Sequence, residues 1–167
     1  MDSVPEKHSL QFLNDCDPRI RAIYNYWDSK RHGRRMPSRA DIDPVDIPNF
    51  LPNVILVDME HDPFRLRYRL VGTDIVSKCG FDLTGKIVGD AYFGADADSV
   101  LAHYRYIADT RNIRFIDAPF IEPRGWYVYA ERIMMPLSDD DDTVNMVFIY
   151  ALWSDAPKNN GERLRPN

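Results

Sequence analysis

Cysteine is scarce in this chain: Cys16 and Cys79 lie far apart among 167 residues, with no Cys-x-x-Cys spacing and no Cys/His cluster around either. A disulfide framework and a zinc site are therefore disfavoured, and a reducing environment is expected. Long apolar runs are also missing. Residues 1–11 carry Glu6, Lys7 and His8 where a signal peptide needs an uninterrupted apolar stretch, and no later segment approaches a membrane span, so a cytoplasmic location is expected. Positive charge is not in excess. Twenty-one Lys and Arg against 26 Asp and Glu leave a net charge of −5, which disfavours unselective nucleic-acid binding by the chain as a whole. Gly-x-Gly-x-x-Gly, a phosphate loop, Gly-x-Ser-x-Gly and His-Glu-x-x-His are all absent, so the usual nucleotide and catalytic motifs are missing.

What the chain does contain suffices for one folded, soluble domain: 44% hydrophobic residues, with eight Phe, nine Tyr and three Trp to fill a core. Asp17-Pro18 starts a helix, Asp as cap and Pro as first helical residue, and Ile20, Ile23, Tyr24 and Trp27 follow at helical spacing. Lys30, Arg31, His32 and Gly33 suit its end, for about four turns in all. A Pro-punctuated connector with a short helix leads to Pro52. Val54-Ile55-Leu56-Val57 then reads as a strand and His61-Asp62-Pro63 as a turn. In the next strand Phe64, Leu66, Tyr68 and Leu70 alternate with Arg65, Arg67 and Arg69, which assigns the apolar set to one sheet face and the arginines to the other. Loops and single-turn helices are expected between Gly72 and Gly94. Ala97, Val100, Leu101, Tyr104, Ile107 and Ala108 then mark a helix over residues 95–110. Strands over 114–120, 126–137 and 144–153 complete the pattern, joined by hairpin loops at 122–125 and 138–143.

This order predicts an α+β fold, one antiparallel sheet of five strands with the middle helices on one face and an N-terminal flanking helix. The chain divides into a flexible N-terminus over 1–16, the flanking helix and Pro-rich connector over 17–52, a core over 53–153 and a loose tail over 154–167.

Several stretches carry a family resemblance: Tyr26-Trp27, Gly33-Arg34-Arg35-Met36-Pro37-Ser38-Arg39-Ala40-Asp41-Ile42-Asp43-Pro44, Asp46-Ile47-Pro48, and Tyr68-Arg69-Leu70-Val71-Gly72-Thr73 with Gly80, Leu83, Thr84, Gly85 and Lys86. Together with the element order, from about Ile20 to Trp153, they resemble the PAS domain superfamily, and within it a bacterial PAS family once catalogued as a domain of unknown function. PAS domains as a class sense small ligands, bind cofactors or dimerise, and the resemblance does not choose among these. Flavin light sensors of the superfamily use a Cys within Asn-Cys-Arg-Phe-Leu-Gln. Cys79 sits instead in Ser77-Lys78-Cys79-Gly80-Phe81, which gives that photochemistry little support. Haem-binding members place a His on the long helix; His103 is the residue at that place here, about 100° from the centre of the apolar stripe, and its alternative is a half-exposed helix-edge histidine.

A sheet cupped by helices leaves room for a ligand pocket. Strand phase nominates Leu66, Tyr68, Leu70, Leu101, Tyr104, Phe115, Tyr129, Phe148 and Tyr150 as its walls, with plain core packing as the competing reading. By the resemblance, the helix bearing Ile20, Ile23, Tyr24 and Trp27 is the candidate dimer or partner helix, packing on its own sheet being the alternative. The basic run Lys30, Arg31, His32, Arg34, Arg35 and Arg39 could contact nucleic acid or an acidic partner, or be a solvated helix end complementing the macrodipole. Asp139 to Asp142 lacks the spacing of a calcium loop and reads as a hairpin tip. The function these features support is a stand-alone sensory or regulatory module that acts through a homodimer or a signalling partner, with a small ligand as modulator. The alternatives are a small enzyme in which Asp117, Glu131 and His103 converge, or nucleic-acid contact through the basic connector.

Overall fold

The computed structural model describes residues 10–90, 96–121 and 127–154. Helix α1 (Pro18–Ser29) starts where the capping signal lies, the Asp17 carboxylate accepting from the Arg19 amide at 2.9 Å. It runs 12 residues, shorter than expected, because the chain turns after Lys30 and passes His32 and Gly33 at positive φ. Strands β1 (Val54–Glu60) and β2 (Arg65–Val71) form the expected hairpin, followed by helices α2 (Thr73–Cys79) and α3 (Asp96–Thr110) and by strands β3 (Arg114–Ile121), β4 (Tyr127–Leu137) and β5 (Met146–Ser154). All pairings are antiparallel, in the order β2-β1-β5-β4-β3. The last strand in sequence is thus the central one, and the earliest pair flanks it on one side. The loop expected at 122–125 and the tail from 155 lie outside the described residues.

The sheet is covered on both faces, which divides the core in two. On the α3 face, Val100, Tyr104 and Ile107 of α3 and Ile75 and Cys79 of α2 pack on Ile55, Val57, Leu66, Tyr68, Met134, Val147 and Ile149. On the α1 face, Ile20, Ile23 and Trp27 pack on Val54, Leu56, Ile133, Met135, Phe148 and Tyr150. Strand alternation makes this possible, because neighbouring residues of β5 serve opposite cores. Within the segment expected to be loose before residue 17, Gln11–Asn14 forms a 3-10 turn and Phe12 stacks on Phe115 with ring centroids 4.4 Å apart.

The connector that carries the family signature is a clasp. Tyr26 accepts from the Asp43 amide at 2.9 Å, Lys30 reaches Asp46 at 2.8 Å, and Arg34 pairs with Asp41, which also closes a capping box with Ser38. Met36 is fully buried in the α3-side core. The Asp139–Asp142 run completes the clasp. Asp141 accepts the Arg35 and Met36 amides at 3.1 and 2.9 Å, and Asp140 accepts those of Asp142 and Thr143. The hairpin tip is therefore a docking element against residues over 100 positions away in sequence.

These hydrogen bonds set an acid limit on stability. Backbone amides and the Ser138 hydroxyl hold the Asp140 carboxyl down at about 2; the Ser38 amide and Arg34 do the same for Asp41, and the Met36 and Arg35 amides lower Asp141. An unfolded Asp titrates near ~3.9, so below that pH the unfolded chain binds more protons than the native one. The stabilisation is complete above about pH 4 and is lost as pH falls towards 2. Thermal melts from pH 7 to pH 2 should show midpoints dropping below pH 4, and Asp141→Asn should start lower at pH 7 with a shallower acid slope. Midpoints flat to pH 2 would remove the clasp from solution.

Candidate functional site

Polar and apolar side chains meet in a small cavity where α3 lies over the sheet. A cavity of about 40 Å³ there is bounded by Tyr68 of β2, His103 and Tyr104 of α3, Arg132 and Met134 of β4, and Ile149 and Trp153 of β5, with Ile55, Val100 and Ala151 completing the wall. Each strand contributes alternate residues, so Arg132 faces this cavity while Ile133 serves the opposite core. A more open cleft of about 300 Å³ borders Arg19, Asn53, Asp74 and Lys78, but its cations are engaged: Lys78 with Asp74 at 3.0 Å and Arg19 with Asp17 at 2.9 Å.

Two of the nominated wall residues, Tyr68 and Tyr104, line the cavity. Leu66 and Leu101 belong to the same core without reaching it. The other five do not come together there. Leu70 is turned to the α1 face and is 39% exposed, because Arg69 is an extra residue in β2: Val57 pairs with Tyr68 but Leu56 with Leu70, and the bulge reverses the alternation. Phe115, Phe148 and Tyr150 pack in the α1-side core. Tyr129 donates to Asp117 at 2.5 Å on that same face. Arg132 and Trp153 also border the cavity; their phase follows from Met134 and Ile149 only once the structure places those two on the α3 face.

His103 is half-buried at the cavity edge, as its helical angle implied. Its Nδ1 accepts from Arg114 Nε at 3.3 Å, so the neutral ring carries its proton on Nε2. Burial, then the Arg132 and Arg114 guanidiniums, push its pKa down to about 4, and the ring is neutral at pH 7. These residues do not fit haem. An Nε2 ligand needs its proton on Nδ1, which here faces a guanidinium donor, and the cavity is far below the ~300 Å³ at which small-molecule sites begin.

Asp117, Glu131 and His103 do not converge. Asp117 and Glu131 pair across β3 and β4 on the α1 face, where Glu131 accepts the Asp17 amide at 3.0 Å, while His103 lies on the α3 face. Among the described residues no group of three His, Cys, Asp or Glu could hold a metal ion, and no helix is long and apolar enough to cross a membrane.

The dimer-helix candidates Ile20, Ile23 and Trp27 are buried against the chain's own sheet, and the Trp27 indole donates to the Pro136 carbonyl at 3.0 Å. Tyr24 is half-buried beside Trp27. The basic run is similarly engaged: Arg31 with Asp28, Arg34 with Asp41, Arg35 with the Thr110 carbonyl and Arg39 with that of Ile42. In the guanidinium row of β2, Arg69 meets Asp58 at 3.3 Å and Arg67 donates to the Gly85 carbonyl.

Among curated proteins no sequence matches the chain. One similar solved structure is the crystal structure of the N-terminal domain of a diguanylate cyclase with PAS/PAC sensor from Marinobacter aquaeolei. It is 14% identical with a TM-score of 0.44, the alignment covering 59% of this chain and 93% of that one. The sequence model of a PAS domain family matches residues 17–150, from the cap of α1 into the central strand, and on that match the chain belongs to the PAS domain family.

Proposed function

We propose that this chain is a sensory or regulatory PAS module, cytoplasmic and non-enzymatic, that works through protein contacts, a homodimer first among them, with a small ligand as modulator. The observation that carries the reading is the PAS family match over residues 17–150; the cavity of about 40 Å³ under α3, bordered by Tyr68, His103, Tyr104, Arg132 and Trp153, is the space open to a ligand no larger than a few waters. A ligand there would act by binding two states of the module with different affinity, since only that difference shifts their populations. A pairing helix α1 would have to use its outer residues, such as Arg21, Ala22 and Asn25, because its apolar stripe is occupied by the sheet.

Native mass spectrometry of the purified protein, with light scattering and an absorption spectrum alongside, tests this. A dimer, or a co-purifying small mass whose removal changes association, is expected. A monomer at every concentration with no bound mass, or turnover of a substrate by the purified chain, would overturn it.

A further inference from the structure

We propose that the β4–β5 hairpin tip, residues 138–143, is a latch that couples helix α3 to the α1 connector, so that the two faces of the sheet loosen together. Its signalling role rests on the proposed function, to which it adds the route by which a change under α3 reaches the opposite face.

The connector enters both cores. Trp27 is in the α1-side core, Met36 is fully buried in the α3-side core, and Ile42 and Ile47 return to the first, so the chain passes from one face of the sheet to the other and back. Three elements meet at that crossing. The Arg35 and Met36 amides donate to the two oxygens of Asp141 at 3.1 and 2.9 Å, and the Ser138 amide donates to the Pro37 carbonyl at 2.9 Å, which joins connector to tip. The Arg35 guanidinium donates to the carbonyl of Thr110, the last residue of α3, at 2.9 Å, which joins connector to helix and complements the helix dipole. Arg111 meets the Asp142 carboxylate at 3.0 Å and donates to the Asp142 carbonyl, which joins helix to tip.

These contacts close a ring. Each pair of elements holds the third in place, so the loss of one side weakens the other two and opening is cooperative. The ring also holds strained backbone: Arg111 and Asp141 have φ of +60° and +62°, in the left-handed region, and such conformations persist where the surroundings over-determine them. Opening relieves that strain, which favours a second state. The tip itself is preformed, with Ser138 fully buried and the Asp142 and Thr143 amides donating to Asp140. Beyond Arg35 the route continues to the end of α1, because Arg34 Nε donates to the Arg31 carbonyl at 3.2 Å and Lys30 meets Asp46 at 2.8 Å.

The test is amide hydrogen exchange of the full chain, read by nitrogen-15 NMR in urea below the unfolding transition. In the wild type the amides of Met36, Ser138 and Arg111, one from each element of the ring, are expected to report a single opening, with one free energy below that of global unfolding and one dependence on urea. In Asp141→Asn, which alters a side chain bonded to the connector, exchange at the Arg111 amide should rise about tenfold or more, as at Met36. Separate openings, or one indistinguishable from global unfolding, would overturn the latch, and so would a variant that speeds Met36 and leaves Arg111 unchanged. The wild-type comparison decides the question even where the variant fails to fold. A shared opening in a protein that is monomeric and binds no small mass would leave the latch standing and overturn the proposed function; separate openings in a ligand-bound dimer would do the reverse.

Discussion

Replacing Trp27 by alanine is expected to destabilise the protein by about 3–5 kcal/mol, the range for deleting a buried aromatic side chain. Trp27 is 5% exposed, fills the α1-side core against the sheet, and donates its indole N–H to Pro136 at 3.0 Å. The alanine variant would leave a cavity and orphan a buried carbonyl, and both effects have the same sign. Trp27→Phe should recover much of the loss by restoring ring volume without the donor. Urea unfolding of the three proteins, at two protein concentrations, makes the comparison. A loss under about 1 kcal/mol for Trp27→Ala, with a dimer that dissociates instead, would mean that α1 packs between chains rather than on its own sheet.

Gly72→Ala is expected to cost at the upper end of the ~1–3 kcal/mol typical of overpacking, or more. Conformation is not the reason, since Gly72 sits at φ −63° and ψ 151°, where any residue is at ease. The reason is contact. An added Cβ would lie 2.3 Å from the Pro52 carbonyl oxygen and 2.5 Å from that of Leu51, and neither backbone atom can swing aside. Relief would require α2 to move off the turn at Leu51–Asn53. That movement would strain the Gly72 amide bond to Val54 at 2.7 Å and the Asn53 bonds to Asp74 and the Ala151 carbonyl. Gly33→Ala is the informative control: φ is +79° with nothing within 4 Å, so only the ~1–2 kcal/mol of left-handed backbone strain applies. If Gly72→Ala proves the milder of the two, the close approach of α2 to this turn is wrong.

Much of the fold was legible because helical and strand periods are local properties. The stripe of Ile20, Ile23 and Trp27 and that of Val100, Tyr104 and Ile107 each marked a helix and its buried face. The site was less legible, and the failures have distinct causes. In β5 the run from Met146 to Trp153 is apolar at almost every position because both sheet faces are covered, so alternation in hydrophobicity vanishes and the phase of Phe148 and Tyr150 could not be read. In β2 the alternation was clear and still misled at Leu70, since a bulge is defined by the partner strand and leaves no mark in its own.

The signature residues of the family illustrate the same division. Gly33 to Pro44 identified the family from sequence, but what those residues do depends on contacts with Asp141 and Thr110 far along the chain. They build a clasp, which explains why they announce a family without announcing a chemistry. By itself the sequence determined the element order, the two helical stripes and the absence of the usual catalytic motifs, because spacing and residue type are sufficient for these. Tertiary structure alone decided that α1 closes the second sheet face, that Arg132 and Glu131 part to opposite sides, and that the space beneath α3 is small. Such facts depend on register and on which faces meet, and both are set by residues distant in the chain.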